Sequence, residues 1–326
     1  MKIAFLSEMN FVGKIPSNHP NMRTEFSWMH ALDATHHCIY EYQNIQDYDQ
    51  VFLIFPKGRV FLSAEGSKII DGNNPASKLL HSNIVDELKI KNKQVFYIQE
   101  GPHWWFNEYE LADQIGFYNM LASCDAIFAH NESDVPYYKG LVPHIPIHVI
   151  PSLMIEESIK DIIPNPEDKV IIGGNFARWY GGFESYIVAR EFDVPIWGQT
   201  SHVLRDGEDQ LVNILPRVYW SDWIKQLSSF KYAVHLMPTV AAGTFSLNCA
   251  YLGIPCIGNI KVDTQRICHP ELSVDIDDID SARKLAKKLV MNNEFYILCS
   301  NKAKELYQKN YSLQTWKSKY QSYYEI

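Results

Sequence analysis

The sequence has no closely spaced cysteine pair. Its six cysteines, Cys38, Cys124, Cys249, Cys256, Cys268 and Cys299, stand apart and mostly within apolar segments, which is the pattern of buried free thiols rather than of disulfides or zinc. No apolar run approaches the length of a membrane span, and the N-terminal run meets Glu8 too soon for a signal peptide. Stable membrane insertion is therefore not expected, and the cytoplasm is the expected compartment. Positive charge is not in excess either. With 30 Lys and Arg against 38 Asp and Glu, the net charge is −8, so nothing attracts nucleic acid or an acidic membrane globally. A local basic surface around Lys57, Arg59, Lys68 and Lys78 stays open, although solvated loop charges explain these residues more simply.

Metal-ligand spacing is missing as well. His36 and His37 stand beside no partner at a ligand interval. The run Asp275 to Asp280 contains an Asp-x-Asp pattern, but Ala282, Leu285, Ala286 and Leu289 follow it at helical spacing, so Asp278 or Asp280 reads as a helix cap.

What is present is a globular composition, 46% hydrophobic and 13% aromatic, in a chain of 326 residues, long enough for two domains. Strand-like runs alternate with helical patterns throughout. The strands are expected at 2–7, 37–42, 50–55, 94–98, 126–130 and 147–151, then at 170–173, 194–198, 213–218, 232–237 and 255–258. Met22, Phe26 and Met29 mark one early helix, and a longer one is expected within 107–124. The fold class is α/β, with two Rossmann-like domains whose ligands sit at the C-terminal strand ends, facing a central cleft. The expected boundaries are 1–154 for the first domain, 155–168 for a linker holding Pro164 and Pro166, 169–310 for the second domain, and 311–326 for a terminal helix packing back on the first.

The most informative segment is Leu236 to Gly258. A strand ends at Pro238. Ala241, Ala242 and Gly243 let the backbone approach a ligand, Thr244 or Ser246 can cap the next helix, and Gly253 closes it. Phe245, Cys249 and Leu252 give that helix its buried face. A helix start of this kind suits a phosphate, and it also occurs as a plain turn with no ligand.

Over nearly its whole length the chain resembles the large retaining family of nucleotide-sugar glycosyltransferases with the GT-B fold. The resemblance rests on the opening strand with the helix Arg23 to Leu32, on Val170 to Gly182, and, most specifically, on Pro238 to Pro255. It implies an acceptor-side first domain and a second domain holding a nucleotide-diphosphate sugar, UDP-sugar favoured, as substrate, with no separate cofactor and no metal. One departure stands out: the family's paired glutamates fall here on Val240 and Asn248, of which only the amide of Asn248 can meet a ribose hydroxyl.

Donor-side residues implied by the resemblance are Gly174, Asn175, Arg178, Gln199, Tyr219, Trp220, Thr239, Gly243, Thr244, Phe245 and Asn248. The fork of Arg178 can neutralise a leaving diphosphate, or it forms a surface ion pair. Tyr219, Trp220 and Trp223 offer an aromatic platform for a base, although core packing claims at least one of them. On the first domain, Glu100 and His103 follow a strand end and can exchange a proton with an acceptor hydroxyl, while Glu100 can instead cap the next helix. Trp104 and Trp105 can stack on a sugar or base. Glu8, Asn10, His19 and His130 complete the acceptor-side set.

The expected function is metal-independent, retaining glycosyl transfer to an acceptor that is a glycan, a small molecule or a hydroxylated DNA base. A nucleotide-sugar epimerase of the same fold, using Glu100 and His103, and a non-catalytic nucleotide- or glycan-binding module are the alternatives.

Overall fold

The computed structural model describes residues 1–18, 24–55, 60–62, 69–71, 84–108, 111–175, 181–200 and 206–323. The chain divides into two compact units, Met1–Pro16 with Trp28–Ile150 and Ser17–Ser27 with Pro151–Ile326. The candidate residues His19 and Arg178, and the lysines and arginine of the local basic surface, lie outside the described residues.

In chain order the first elements are β1 (Ile3–Ser7), α1 (Thr24–Ala31), β2 (Thr35–Cys38), β3 (Gln50–Leu53), β4 (Val60–Leu62), β5 (Ile69–Asp71), α2 (Ile84–Lys91), β6 (Gln94–Ile98), α3 (Leu111–Ser123), β7 (Ala126–Ala129), α4 (Val135–Leu141) and β8 (Ile147–Val149). Six strands form one parallel sheet in the order β2-β1-β3-β6-β7-β8, and β4 pairs with β5 as a separate antiparallel hairpin. Both faces of the sheet are covered, so β1, β3 and β7 are almost wholly apolar and are buried throughout. One face packs Leu6, Leu53 and Tyr97 with Phe117, Met120 and Leu121. On the other, Phe5 stacks on Phe52 with ring centroids 4.6 Å apart, and Phe96 and Phe128 extend the aromatic layer.

In this part of the chain the clearest differences from expectation are at the second strand and the helix after β6. The strand expected at 37–42 ends at Cys38, and Ile39–Asn44 forms a 3-10 turn that buries Ile39 and Tyr42. The reason is partner length: β2 pairs with β1 up to Ser7↔Cys38, where β1 ends. The helix expected within 107–124 is preceded by a 3-10 turn at His103–Glu108 and begins at Leu111.

The second unit contains β9 (Glu167–Asn175), α5 (Gly182–Ala189), β10 (Ile196–Gln199), β11 (Asn213–Ile214), α6 (Trp220–Leu227), β12 (Phe230–His235), α7 (Thr244–Leu252), β13 (Cys256–Asn259), α8 (Asp263–Cys268), β14 (Ser273–Val274), α9 (Ile279–Met291), α10 (Asn293–Tyr311) and α11 (Leu313–Ser322). Its parallel sheet runs β11-β10-β9-β12-β13-β14. Counted within the unit this is the Rossmann order 3-2-1-4-5-6, whose direction reverses between β9 and β12. β11 is shorter than the run expected at 213–218, because Leu215 already closes its backbone onto Gly198 and Pro216 can donate nothing further.

The segment expected as a linker is structural. Met154, Ile155 and Ile159 are buried in the core with Tyr307 and Tyr311, Tyr307 donates its hydroxyl to Glu156 at 2.7 Å, and Glu167 already starts β9. In the tail, Trp316 is fully buried, donates Nε1–H to the Pro151 carbonyl at 3.0 Å and stacks on Tyr320, all within the second unit. Asp278 caps α9 by accepting from the Ser281 backbone N–H at 3.0 Å, as its place in the acidic run implied. Among the described residues no helix is long and apolar enough to cross a membrane, and no group of three or more His, Cys, Asp and Glu could hold a metal ion.

Candidate functional site

The reversal point between β9 and β12 is where a sheet of this order opens a crevice at its strand ends. Three loops are held together there by close backbone approach. Gly173, in β9, lies against the ring of Phe245, in the first turn of α7. Gly181, in the left-handed region at φ 73°, precedes α5 and packs so tightly on the Leu236 carbonyl that any side chain would collide with it. The backbone N–H of Leu236 in turn donates to Ser185 Oγ of α5 at 3.0 Å. These contacts fix the ends of β9 and β12 and the start of α5 in one place.

Helix α7 begins beside them without a side-chain cap. Its N-cap is Gly243, at φ 68°, rather than the expected Thr244 or Ser246. Ser246 instead turns its hydroxyl back to the Gly243 carbonyl at 3.1 Å and to Thr264 Oγ1 at 2.7 Å, while Thr264 donates to the same carbonyl at 2.8 Å. Asn259 donates to the Met237 carbonyl at 2.8 Å, and Ser152 donates to that of Ala242. The loop between β12 and α7 is thus held through its carbonyls, and the first-turn N–H groups of α7, as at any helix start, have no intrahelical acceptors. An anion is the natural complement of such an end.

Two buried polar groups line the same region without partners: Nε2 of His235 and Oγ1 of Thr239. His235 packs edge-on against Phe245, and its burial lowers its pKa to about 4, so it is neutral. His269 is also held neutral, lowered to about 4 chiefly by burial, with Nε2–H donating to the Ser246 carbonyl at 3.0 Å.

The other donor-side candidates separate. Gly174, the last residue but one of β9, is exposed at φ 75°. Gln199 donates to the Pro216 carbonyl at 3.2 Å. Tyr219 is exposed at the N-cap of α6, whereas Trp220 and Trp223 are buried in the core, so Trp220 is a packing residue and no platform. Asn248 is buried too. With its amide oriented to suit its neighbours, it donates to the Thr244 carbonyl at 3.1 Å and accepts from Trp223 Nε1 at 3.3 Å. That amide joins α7 to α6, and the two bonds turn it away from a ribose hydroxyl.

In the first unit the acceptor-side candidates gather at the ends of β6 and β7. Glu100 and His130 are buried. The backbone N–H of Gln99 donates to the Phe128 carbonyl at 2.9 Å, and the side chain of Gln99 bonds Gly101 and the His130 N–H. His103 is half-buried, and its Nδ1 lies 2.8 Å from Asp134 Oδ1. Trp104 and Trp105 are half-buried, with near-parallel rings 6.4 Å apart. Glu8 and Asn10 are on the loop after β1, which His36 pins through Ser7 Oγ at 2.8 Å and the Phe11 carbonyl at 3.0 Å.

Sequence reasoning missed Asp134, Asn259 and Thr264. Position was the available signal for Asp134: it follows the end of β7 as His103 follows the end of β6. Thr264 and Asn259 carried none, since their role depends on β13 and α8 lying behind the α7 loop.

The two Rossmann-like units, each built on a six-stranded parallel sheet, form the GT-B class of fold. No protein-family model and no curated protein matches the chain. Solved structures do. Sucrose-phosphate synthase from Thermosynechococcus elongatus is similar at TM-score 0.66 and 11% identity, over 99% of this chain and 98% of that one. An alpha-glucosyltransferase solved with UDP is similar at TM-score 0.64 and 11% identity, over 100% of both chains. TarM of S. aureus, in complex with UDP and alpha-GlcNAc-glycerol, is similar at TM-score 0.60 and 12% identity. This chain is covered to 88% and spans 58% of TarM.

Proposed function

We propose that this protein is a glycosyltransferase that moves a sugar from a nucleotide-diphosphate sugar, UDP-sugar favoured, to an acceptor hydroxyl. The observation that carries the reading is the uncapped start of α7 at the reversal point of the second sheet, braced from behind by Thr264, Asn259 and Ser152. Charge develops on the leaving diphosphate during transfer, and pre-set N–H groups stabilise it without reorganising. Metal independence belongs to the same reading, with the helix end and Arg178 meeting that charge. The solved relatives support it, since the alpha-glucosyltransferase and TarM are both solved with UDP.

The acceptor is a hydroxyl of a glycan, of a small molecule or of a modified DNA base. A related alpha-glucosyltransferase structure contains DNA with an HMU base, which makes hydroxylated DNA a direct assay arm. Retention of the anomeric configuration is what the family resemblance implies.

The test is a thermal-shift screen with UDP, GDP, ADP, TDP and CDP, in which a ligand at a hundred times its Kd stabilises by about 2.7 kcal/mol. A shift with UDP that Arg178→Ala removes, followed by transfer from UDP-glucose, is the expected result. No shift with any nucleotide overturns the reading. Binding without turnover would leave a nucleotide-binding module, and nucleotide release with no acceptor-linked product would leave an epimerase.

A further inference from the structure

We infer that the second unit docks on an anionic lipid bilayer through the outer face of α9 and the first two turns of α10, lying on the surface without spanning it. The inference goes beyond the transfer reading and does not rest on it. Helix α9 is amphipathic: Ala282, Ala286 and Leu289, at i, i+4 and i+7, are buried in the core. Its other residues include Arg283, Lys284, Lys287 and Lys288, all exposed, against a single acid, Asp280. In a chain of net charge −8 this is a local reversal of sign. The acid that pairs with two of these cations lies beneath them: Glu191 meets both Arg283 and Lys287, yet its side chain is 14% exposed against 48% and 56% for the two bases. The cations therefore face outward and set the sign of the surface.

Apolar side chains continue this face. Val290 and Met291 end α9, Ile297 and Leu298 follow in α10, and all four are exposed, Met291 to 84%. Asn292 alone separates the helices and caps α10 by accepting from the Phe295 backbone N–H at 2.9 Å, which fixes the turn. Lys288 Nζ stands 3.9 Å from the centroid of the Phe295 ring, so the basic end of α9 lies directly against the first turn of α10. The first two turns of α10 add one acid, Glu294.

Exposed apolar side chains bordered by lysines fit the boundary of a bilayer. The apolar tips enter between headgroups and acyl chains, while the long lysine stems keep their ammonium groups at the level of the phosphates. The negative potential of an anionic leaflet supplies the complementary charge. The two other occupants fit less well. A DNA duplex would meet the cations but leave Met291 and Leu298 against a charged backbone. A second copy docked face to face would set these four cations against its own four.

The test is flotation of the full chain with phosphatidylglycerol vesicles and, separately, with phosphatidylcholine vesicles. Partition onto phosphatidylglycerol should exceed that onto phosphatidylcholine by about tenfold or more. It should weaken as salt rises from about 0.1 M to about 1 M, where the screening length falls from about 10 Å to about 3 Å. Lys284→Gln with Lys287→Gln, and separately Met291→Gln with Leu298→Gln, should each weaken it by about tenfold. All four positions are exposed, so both double variants should melt with the parent. Ile163→Gln, an equally exposed apolar position elsewhere on the unit, should leave partition unchanged. No partition onto phosphatidylglycerol, equal partition onto both lipids, insensitivity to salt, or equal partition by the parent and either double variant overturns the inference. If the parent instead forms a dimer that Met291→Gln with Leu298→Gln dissociates, or binds a DNA duplex that Lys284→Gln with Lys287→Gln releases, and ignores vesicles, the face belongs to that partner and the inference falls.

Discussion

Gly173 lies directly against the ring of Phe245, so that a Cβ on the glycine would stand 2.4 Å from Phe245 Cδ1. The contact joins β9 to the first turn of α7 and sets how near the two strand-end loops come. Gly173→Ala should push the ring aside, at an overpacking cost of about 1–3 kcal/mol. Differential scanning calorimetry should show a lower Tm, and calorimetric titration should show weaker UDP binding. An unchanged Tm and Kd would mean that the ring has room to yield.

The hydroxyl of Thr264 is the main polar support behind the α7 loop, bonding the Gly243 carbonyl and Ser246. Thr264→Val keeps the shape and removes both bonds, which should cost about 1–2 kcal/mol. Thr264→Ser should keep most of the stability. Urea unfolding of the pair, with UDP titration of each, separates loop support from general packing.

His235 and His269 are held neutral by burial, both lowered from 6.5 to about 4. Between those values the unfolded chain binds protons that the folded chain refuses. Their contribution to stability is complete above about pH 6.5 and is lost as pH falls toward 4, on the order of 3 kcal/mol for each histidine. Denaturation at pH 7.0, 5.5 and 4.5 should show this decline, and His235→Phe should flatten it. An equally steep decline in that variant would assign the acid sensitivity elsewhere.

Trp316 fastens the C-terminal helix by burying its whole side chain and donating to the Pro151 carbonyl. Trp316→Ala should cost about 3–5 kcal/mol. Trp316→Phe should cost less, having lost the hydrogen bond and part of the volume. Urea midpoints of the three proteins check the order.

Much of the sheet architecture was readable because buried parallel strands need unbroken apolar runs. Gln94–Ile98 matches its expected strand end for end, and Ala126–Ala129 and Ile147–Val149 lie within theirs. The helix Ile84–Lys91 and the 19-residue α10 were not foreseen, since a charged face dilutes the apolar signal of each. Loop chemistry was harder still. The family resemblance makes Asn248 a ribose ligand, but its amide lies between α6 and α7, and an alignment along one helix cannot reveal what the neighbouring helix supplies.

The sequence by itself determined the α/β alternation, the strand-loop-helix unit around Gly243 and the cap at Asp278, because each depends on residues within a turn or two of one another. Tertiary structure alone decided that Thr264 and Asn259 brace the α7 loop, that Trp220 belongs to the core, and that Asp134 meets His103. Those pairs are far apart in the chain, and only the parallel order of the strands, which lines up all the C-terminal ends on one edge, brings them within hydrogen-bonding or packing distance.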